Sequence, residues 1–276
     1  MKTALLQLSV SDDPAENLPV TLGYLRQAAA EGAQFILTPE VTNCLSTSRS
    51  HQREVLSHEA DDLTLQAMQQ EARALGVWIL IGSLALKTGD ADGRFANRSF
   101  MIDPQGAIVA RYDKIHMFDV QVTPEETYRE SDGYRPGQHA VTAQTEFATI
   151  GMTVCYDVRF SALHSALARA GADILTVPAA FSPVTGAAHW HALLRARAIE
   201  TGCYVLAPAQ TGTHPSKQHK TRATYGHSLV VGPWGDVQLD AGTQPGVYMT
   251  DLHMEQVGSA RARIPSLANA RLFDGP

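Results

Sequence analysis

The first forty residues constrain the fold more tightly than any other stretch of this chain. Residues 2–10, Lys-Thr-Ala-Leu-Leu-Gln-Leu-Ser-Val, read as a mostly buried strand. A helix follows from about Asn17, with Leu18, Leu22, Leu25 and Ala29 on one face and Gly32 at its end. Residues 34–38, Gln-Phe-Ile-Leu-Thr, form a second strand closed by Pro39-Glu40. Strand, helix and strand in that order imply parallel pairing and an α/β layer. Residues 98–102 and 107–114 then flank Asp103-Pro-Gln-Gly106, whose turn chemistry predicts a hairpin. The expected sheet is therefore mixed.

The rest of the chain continues that alternation. A polar loop with Ser46, Thr47, Ser48 and Ser50 leads to a helix near 61–75, marked by Leu65, Met68, Ala72 and Leu75 and stopped by Gly76. A buried strand is expected at 77–81. Residues 119–139 show little regular pattern and are rich in Glu, Tyr, Gly and Pro, including Glu125, Glu126, Tyr128 and Glu130. A loop of that length in a compact protein is usually functional. Residues 148–154 form a strand that runs into Cys155, and Phe160, Leu163, Leu167 and Ala170 repeat at helical spacing before Gly171. A strand at 174–178, a crossing segment at 179–186 and a helix from about 187 to 201 follow, the helix carrying Trp190, Leu194 and Ala198. The remaining expectations are a strand at 204–209, a polar basic loop at 211–224 and a hairpin around Pro233-Trp-Gly235. A final strand at 246–251 and a short helix at 253–263 complete the set. No internal repeat or linker is apparent, and residues 1–276 read as one domain.

Composition removes several classes of function. The 22 basic and 28 acidic residues give a net charge of −6 without a long basic run, which argues against nucleic acid as a partner. Three cysteines without a Cys-x-x-Cys spacing fit a reducing compartment. The first apolar run breaks at Asp12-Asp13-Pro14, too soon for a signal peptide or membrane span, so a cytoplasmic protein is expected. The eleven histidines include no His-x-x-x-His, and no metal or cofactor is expected.

Three residues at strand ends can carry chemistry together. Cys155 stands at a strand-to-helix junction, beside backbone N–H groups that favour a thiolate and can hold an oxyanion. Glu40 follows the second strand, at the sheet end where open α/β sheets place their chemistry. Lys114 ends its strand beside the apolar Ile115-His-Met-Phe118. Taken singly, each has a plainer reading: a buried structural cysteine, a solvated loop carboxylate and a snorkelling lysine. Taken together they supply a nucleophile, a base that returns the proton to a leaving group, and a cation for a tetrahedral oxyanion.

The motifs Thr38-Pro-Glu40, Tyr112-Asp-Lys-Ile-His116 and Val154-Cys-Tyr-Asp-Val-Arg-Phe160 occur in that order. On them the chain resembles the nitrilase superfamily of carbon–nitrogen hydrolases over essentially its whole length. The resemblance implies a Glu40-Lys114-Cys155 triad in a four-layer αββα sandwich with mixed sheets, which dimerises through its helical layers. It also implies that Glu130 orients the lysine and substrate; the N–H of Tyr156, at the helix start, is the donor expected to join Lys114 at the oxyanion. The runs His116–Asp119, 187–190, 193–200, 207–210 and 225–228 resemble the Nit branch. Within that branch, residues 209–214 and Arg222-Ala-Thr-Tyr-Gly-His-Ser228 are similar to deaminated-glutathione amidases, with the ω-amidases that act on 2-oxoglutaramate as the competing subfamily.

The implied reaction is hydrolysis of a small carboxylate-bearing ω-amide to acid and ammonia. Arg159 is implied to pair with the carboxylate, while Phe181 and Thr185 line the pocket. Basic residues at 217, 220 and 222 offer a further attraction for a larger anion, or simply a solvated loop. Two departures from the family bear on specificity: Ser161-Ala-Leu163 replaces the usual Pro-Glu-Leu, and Val41-Thr-Asn-Cys44 lacks an aromatic residue common in relatives. Cys44 and Cys203 match no catalytic position. The alternatives are the same triad acting on an N-carbamoyl amine or a nitrile, and a catalytically silent binding protein on this fold.

Overall fold

The opening unit folds as the strand, helix and strand expected, and the second half of the chain repeats it. The structure is a computed structural model, and it describes residues 1–124, 126–216 and 220–275. Its first part runs β1 (Lys2–Gln7), α1 (Pro14–Ala30), β2 (Phe35–Leu37), α2 (Arg49–Val55), α3 (Leu63–Leu75), β3 (Trp78–Lys87), β4 (Phe95–Ile102) and β5 (Ile108–Asp113). A small pair, β6 (Asp119–Gln121) and β7 (Thr127–Arg129), precedes β8 (Val141–Gln144) and β9 (Thr149–Met152). Then come α4 (Ser161–Arg169), β10 (Ile174–Thr176), α5 (Pro183–Thr201), β11 (Tyr204–Ala207), β12 (Thr211–His214) and β13 (Arg222–Tyr225). The chain closes with β14 (Leu229–Val231), β15 (Val237–Asp240), β16 (Gly246–Asp251), α6 (Glu255–Arg263) and α7 (Ser266–Asn269).

Two six-stranded sheets result, in the orders β16-β1-β2-β3-β4-β5 and β15-β14-β11-β10-β9-β8. Each holds three parallel strands (β1, β2, β3 and β9, β10, β11), extended on one side by two antiparallel strands and on the other by one. The connectivity therefore repeats although the sequence does not.

The period-2 alternation of a strand explains the layers. On β1, Leu5 packs with Phe35 and Leu37 against Ile150, Met152 and Ile174 of the second sheet. Its neighbours Ala4 and Leu6 point the other way, joining Ile36 and Ile79 with Leu25 of α1 and Met68 of α3. Trp190 and Leu194 of α5 and Leu167 of α4 cover the far side of the second sheet. The outcome is a helix–sheet–sheet–helix stack, the four-layer mixed arrangement expected. Strands buried on both faces read as continuous apolar runs.

Several boundaries and faces differ from the sequence reading. α1 starts at Pro14 behind the N-cap Asp13, and its buried face is Asn17, Thr21, Leu25 and Ala28. Leu18, Leu22 and Ala29 are only half-buried. Asn17 goes inside because its amide accepts from Ser11 N–H and donates to the carbonyls of Ser11 and Asn43. The polar stretch after Ser46 contains α2, which buries Gln52 alone and so shows no apolar periodicity. The expected loops at 119–139 and 211–224 hold the hairpins β6–β7 and β12–β13, pairs outside both large sheets. Glu125 and Lys217 lie outside the described residues. α5 begins at Pro183, so Thr185 belongs to its first turn instead of a crossing segment. Among the described residues no helix is long and apolar enough to cross a membrane.

Candidate active site

Each charged group of the expected triad leaves its sheet through a tightly held turn. After β2, Thr42 Oγ1 donates to the Pro39 carbonyl at 2.7 Å, and Gly82 N–H donates to Thr38 Oγ1 at 3.0 Å. Gly82 is needed for space: a Cβ there would sit 2.1 Å from the Thr38 carbonyl oxygen and 2.5 Å from Pro178 Cβ. From the second sheet, Gln210 Nε2 donates to the Glu40 carbonyl at 3.0 Å. Glu40 thus projects from a backbone fixed on both sides.

Lys114 follows β5, its N–H donating to the Asn97 carbonyl and its carbonyl accepting from Gly137 N–H. Its ammonium donates to Glu40 Oε1 at 2.9 Å and to both oxygens of Glu130 at 2.9 Å. Asn97 Nδ2 bridges the same carboxylates, 2.9 Å from Glu40 Oε1 and 3.3 Å from Glu130 Oε1. Backbone donors complete them: Ala180 N–H to Glu40 Oε2 at 2.8 Å and Phe118 N–H to Glu130 Oε2 at 2.6 Å. Lys114 and Glu40 are almost wholly buried, with 2% and 6% of their side chains exposed. Burying charge is costly unless partners replace the lost water, and here nearly every lone pair and proton has one.

Cys155 opens a single 3₁₀ turn, Cys155–Arg159, instead of leading directly into the longer helix. Its N–H donates to the Pro178 carbonyl at 2.9 Å, and its φ is +51°, a left-handed conformation that a residue with a Cβ adopts only under constraint. The constraint comes from Asp157, two residues on and fully buried. Oδ2 of Asp157 accepts from Tyr112 OH at 2.7 Å and Val154 N–H at 2.9 Å. Oδ1 accepts from His116 N–H at 3.0 Å and from His116 Nδ1 at 2.7 Å. Tyr112 and His116 flank Lys114, so one carboxylate fastens the lysine's segment to the cysteine's turn.

The electrostatics assign protons. Burial, the Glu40 charge beside it and a hydrogen bond to Glu40 push the Cys155 thiol well above its ordinary range, against the pull of Lys114. Burial opposes ionisation of Glu40, but the Lys114 ammonium outweighs it and holds the carboxyl below its usual value. Lys114 is raised despite burial because Glu130 and Glu40 surround it. The resting set is thiol, carboxylate and ammonium. A carboxylate held beside a thiol is placed to serve as its base.

The group forms the floor of a cavity of about 800 Å³. Glu40, Lys114, Glu130, Cys155, Tyr156, Phe181 and Thr185 line it, as do Arg49, Arg129, Lys220 and Arg222. Among the described residues, Thr185 Oγ1 and Arg222 Nε are buried without hydrogen-bond partners, while Arg222 Nη2 donates to the Ala180 carbonyl at 2.7 Å. Arg159 is not among the lining residues. Its guanidinium stacks over the rings of Tyr156 and Phe181, 5.8 and 5.6 Å from their centroids, and it meets His189 Nδ1 at 3.3 Å. Cys44 also faces the cavity, but burial pushes its thiol up to about 12, and Cys203 is buried elsewhere.

Besides Asp157, two participants were given no role by the sequence reading. Asn97 sits amid the apolar β4 run Phe95-Ala-Asn-Arg-Ser-Phe-Met-Ile102, and a polar residue at a buried strand position was the available signal. Glu126 accepts from Tyr128 OH at 2.6 Å and Ser182 Oγ at 3.0 Å; the sequence marked its loop as functional without giving this glutamate a role.

A model of the carbon-nitrogen hydrolase family matches residues 2–262. A deaminated glutathione amidase of Yersinia enterocolitica is 43% identical over 235 residues, 85% of this chain and 80% of that protein. Among solved structures, the NitFhit protein of C. elegans superposes with a TM-score of 0.90 at 30% identity, covering 98% of this chain and 65% of that one. An amidase of Nesterenkonia sp. AN1, in which acrylamide has added to the active-site cysteine, gives a TM-score of 0.76 at 26% identity over 96% of this chain and 98% of that one.

Proposed function

The chain belongs to the carbon-nitrogen hydrolase family, and from that premise we propose that it cleaves the γ-amide of deaminated glutathione using Cys155, Glu40 and Lys114. The observation that carries the substrate is the cavity: about 800 Å³ behind a buried catalytic floor, with Arg49, Arg129 and Lys220 along its wall. A five-carbon oxoacid amide needs far less room. A tripeptide-sized anion uses both the volume and the cations.

In this reading Glu40 takes the Cys155 proton as sulfur attacks the amide carbon. The oxyanion is met by the Lys114 ammonium and the N–H of Tyr156. Glu40 passes its proton to the amide nitrogen, the C–N bond breaks, and the acyl group remains on sulfur as a thioester. Water, deprotonated by Glu40, then attacks the thioester and releases the oxoacid and the thiol. Glu130 and Asn97 keep the ammonium and the Glu40 carboxylate in register throughout. The oxoacid carboxylate is assigned to Arg222 Nε and Thr185 Oγ1, both buried without partners among the described residues while Arg222 Nη2 is held by the Ala180 carbonyl, with Phe181 against the acyl chain. Arg159 contributes its charge from behind the Tyr156 and Phe181 rings.

For deaminated glutathione the released amine is cysteinylglycine, because the γ-amide nitrogen belongs to cysteine. Ammonia is the product only from a primary amide such as 2-oxoglutaramate. Mass spectrometry of products from the two compounds, with Cys155→Ala as blank, tests the reading. Release of cysteinylglycine at much the higher kcat/KM supports it, and preference for 2-oxoglutaramate replaces it with an ω-amidase. We further propose a cytoplasmic homodimer formed through the helical face beside α5, where Ile199, Trp234 and Val237 are exposed. Light scattering on the purified chain tests the dimer.

A further inference from the structure

Among the described residues, His191, His227 and Asp240 form the one group of histidine, cysteine and acidic side chains whose ligand atoms converge as a metal ion requires. His191 lies on α5, His227 in the link from β13 to β14, and Asp240 at the end of β15. Oδ2 of Asp240 is 2.9 Å from His191 Nε2, and Oδ1 is 2.8 Å from His227 Nδ1. One ligand atom from each residue lies within 4.8 Å of the other two. Their positions in the chain gave no sign of this, since the three come from different elements.

The group is built, not incidental. His227 has φ +55°, and its backbone is pinned in that strained state by N–H donation to the Gly242 carbonyl at 2.7 Å and by Trp190 Nε1 donating to its own carbonyl at 2.8 Å. Its ring stacks on Tyr225 with centroids 4.4 Å apart, which fixes the direction of Nδ1. Oδ1 of Asp240 also accepts from Gly242 N–H at 2.9 Å. These outer contacts orient the imidazole and the carboxylate in the manner that surrounding hydrogen bonds orient metal ligands. The amidase mechanism uses none of these residues.

We propose that His191 Nε2, His227 Nδ1 and one oxygen of Asp240 bind a divalent ion of the zinc class. Two imidazoles and a carboxylate suit Zn²⁺, Co²⁺ or Ni²⁺, whereas Mg²⁺ and Ca²⁺ prefer all-oxygen sets. The histidines bind in the tautomers that leave those nitrogens unprotonated, so the ion replaces the two N–H···O contacts to Asp240. The side chains are 36%, 24% and 33% exposed, which leaves water access to complete the coordination. The ion ties α5 to the β13–β15 face and stabilises the folded chain in proportion to its occupancy.

The test uses chelator-treated Cys155→Ala protein, in which the active-site thiol cannot compete for metal, titrated with Co²⁺. One equivalent should saturate, with a visible ligand-field band that Zn²⁺ displaces, and Zn²⁺ should raise the thermal midpoint. Adding His191→Ala should abolish both signals, weakening binding by more than the roughly 10–100-fold that loss of an outer partner costs. In the otherwise native chain, His191→Ala should leave amidase activity unchanged. His191→Gln keeps a hydrogen-bonding side chain without an imidazole, and covers the case in which the alanine variant misfolds. No saturable band, or a band retained in a folded His191 variant, overturns the assignment.

Discussion

Replacing Asp157 with alanine should damage stability and catalysis together, through residues the substrate never touches. The carboxylate accepts four hydrogen bonds. Two of its donors, Tyr112 OH and Val154 N–H, belong to residues with no exposure. Without Asp157 these donors are left buried and unsatisfied, at about 1–3 kcal/mol each, or about 2–6 kcal/mol together. The two His116 donors belong to a half-buried residue and can turn to water, so they add little. Domains of ordinary stability have about 5–15 kcal/mol in hand, so the variant should fold with a clearly lower urea midpoint. Lys114, held between Tyr112 and His116, then loses its tether to the Cys155 turn. A displacement near 1 Å at reacting groups costs about 100-fold in rate, so kcat should fall far more than KM rises. Asp157→Asn keeps one acceptor oxygen for one donor pair and should fall between the two. Urea unfolding and steady-state kinetics on the same preparations give both numbers. A loss under about 1 kcal/mol with unchanged kcat would falsify the claim that this carboxylate couples lysine to cysteine.

The other predictions concern the base, a packed glycine and a buried histidine. Glu40→Gln should lower kcat by about 100- to 10,000-fold, and in the native enzyme the acid limb of kcat should lie below the ordinary carboxylate range, because Lys114 depresses the Glu40 carboxyl; an acid limb near neutrality would remove Glu40 as the base. Gly82→Ala drives a methyl group into the Thr38 backbone and should cost about 3 kcal/mol or more, read by chemical denaturation; a near-neutral result would mean the Glu40 turn is looser than described. His164 is fully buried, and burial pushes its pKa down to about 4 from 6.5. Its folded value lies below its unfolded one, so the stability it contributes is complete above about pH 6.5 and drains as pH falls toward 4, on the order of 3 kcal/mol in all. His164→Leu should narrow the stability gap between pH 7 and pH 4.5, and an unchanged gap would exonerate this histidine.

What could be seen in the sequence was what burial writes into it. Strands buried on both faces appear as apolar runs, as in Trp78-Ile-Leu-Ile81 and Ile174-Leu-Thr176. The helices α3 and α5 end where expected, at Gly76 and Gly202, each in the left-handed conformation at the C-cap. Elements stabilised by other means left no such trace. α2 buries only Gln52, and the β12 and β13 strands pair with each other, away from both large sheets, so neither carries an apolar period. Glu40 and Cys155 stood out because each follows a strand recognisable by its apolar run, and Lys114 because it ends one arm of the hairpin marked by Asp103-Pro-Gln-Gly106. Asn97 acts on Glu40 and Glu130 from a neighbouring part of its own sheet and Asp157 through contacts across the sandwich, and sequence separation hides both kinds of partner. The metal-binding cluster proposed above was hidden for the same reason.

The split of the proposed active centre between the two sheets has a consequence for how this enzyme fails. Glu40, Lys114 and Asn97 come from the first sheet, while Cys155, Asp157 and the Ala180 N–H come from the second. Neither half owns a working fragment of the chemistry. Any excursion that slides one sheet over the other by about an ångström silences the enzyme while both sheets remain hydrogen-bonded and spectroscopically native. Turnover is therefore a gauge of inter-sheet registry, and inactivation on warming should run ahead of the loss of secondary structure.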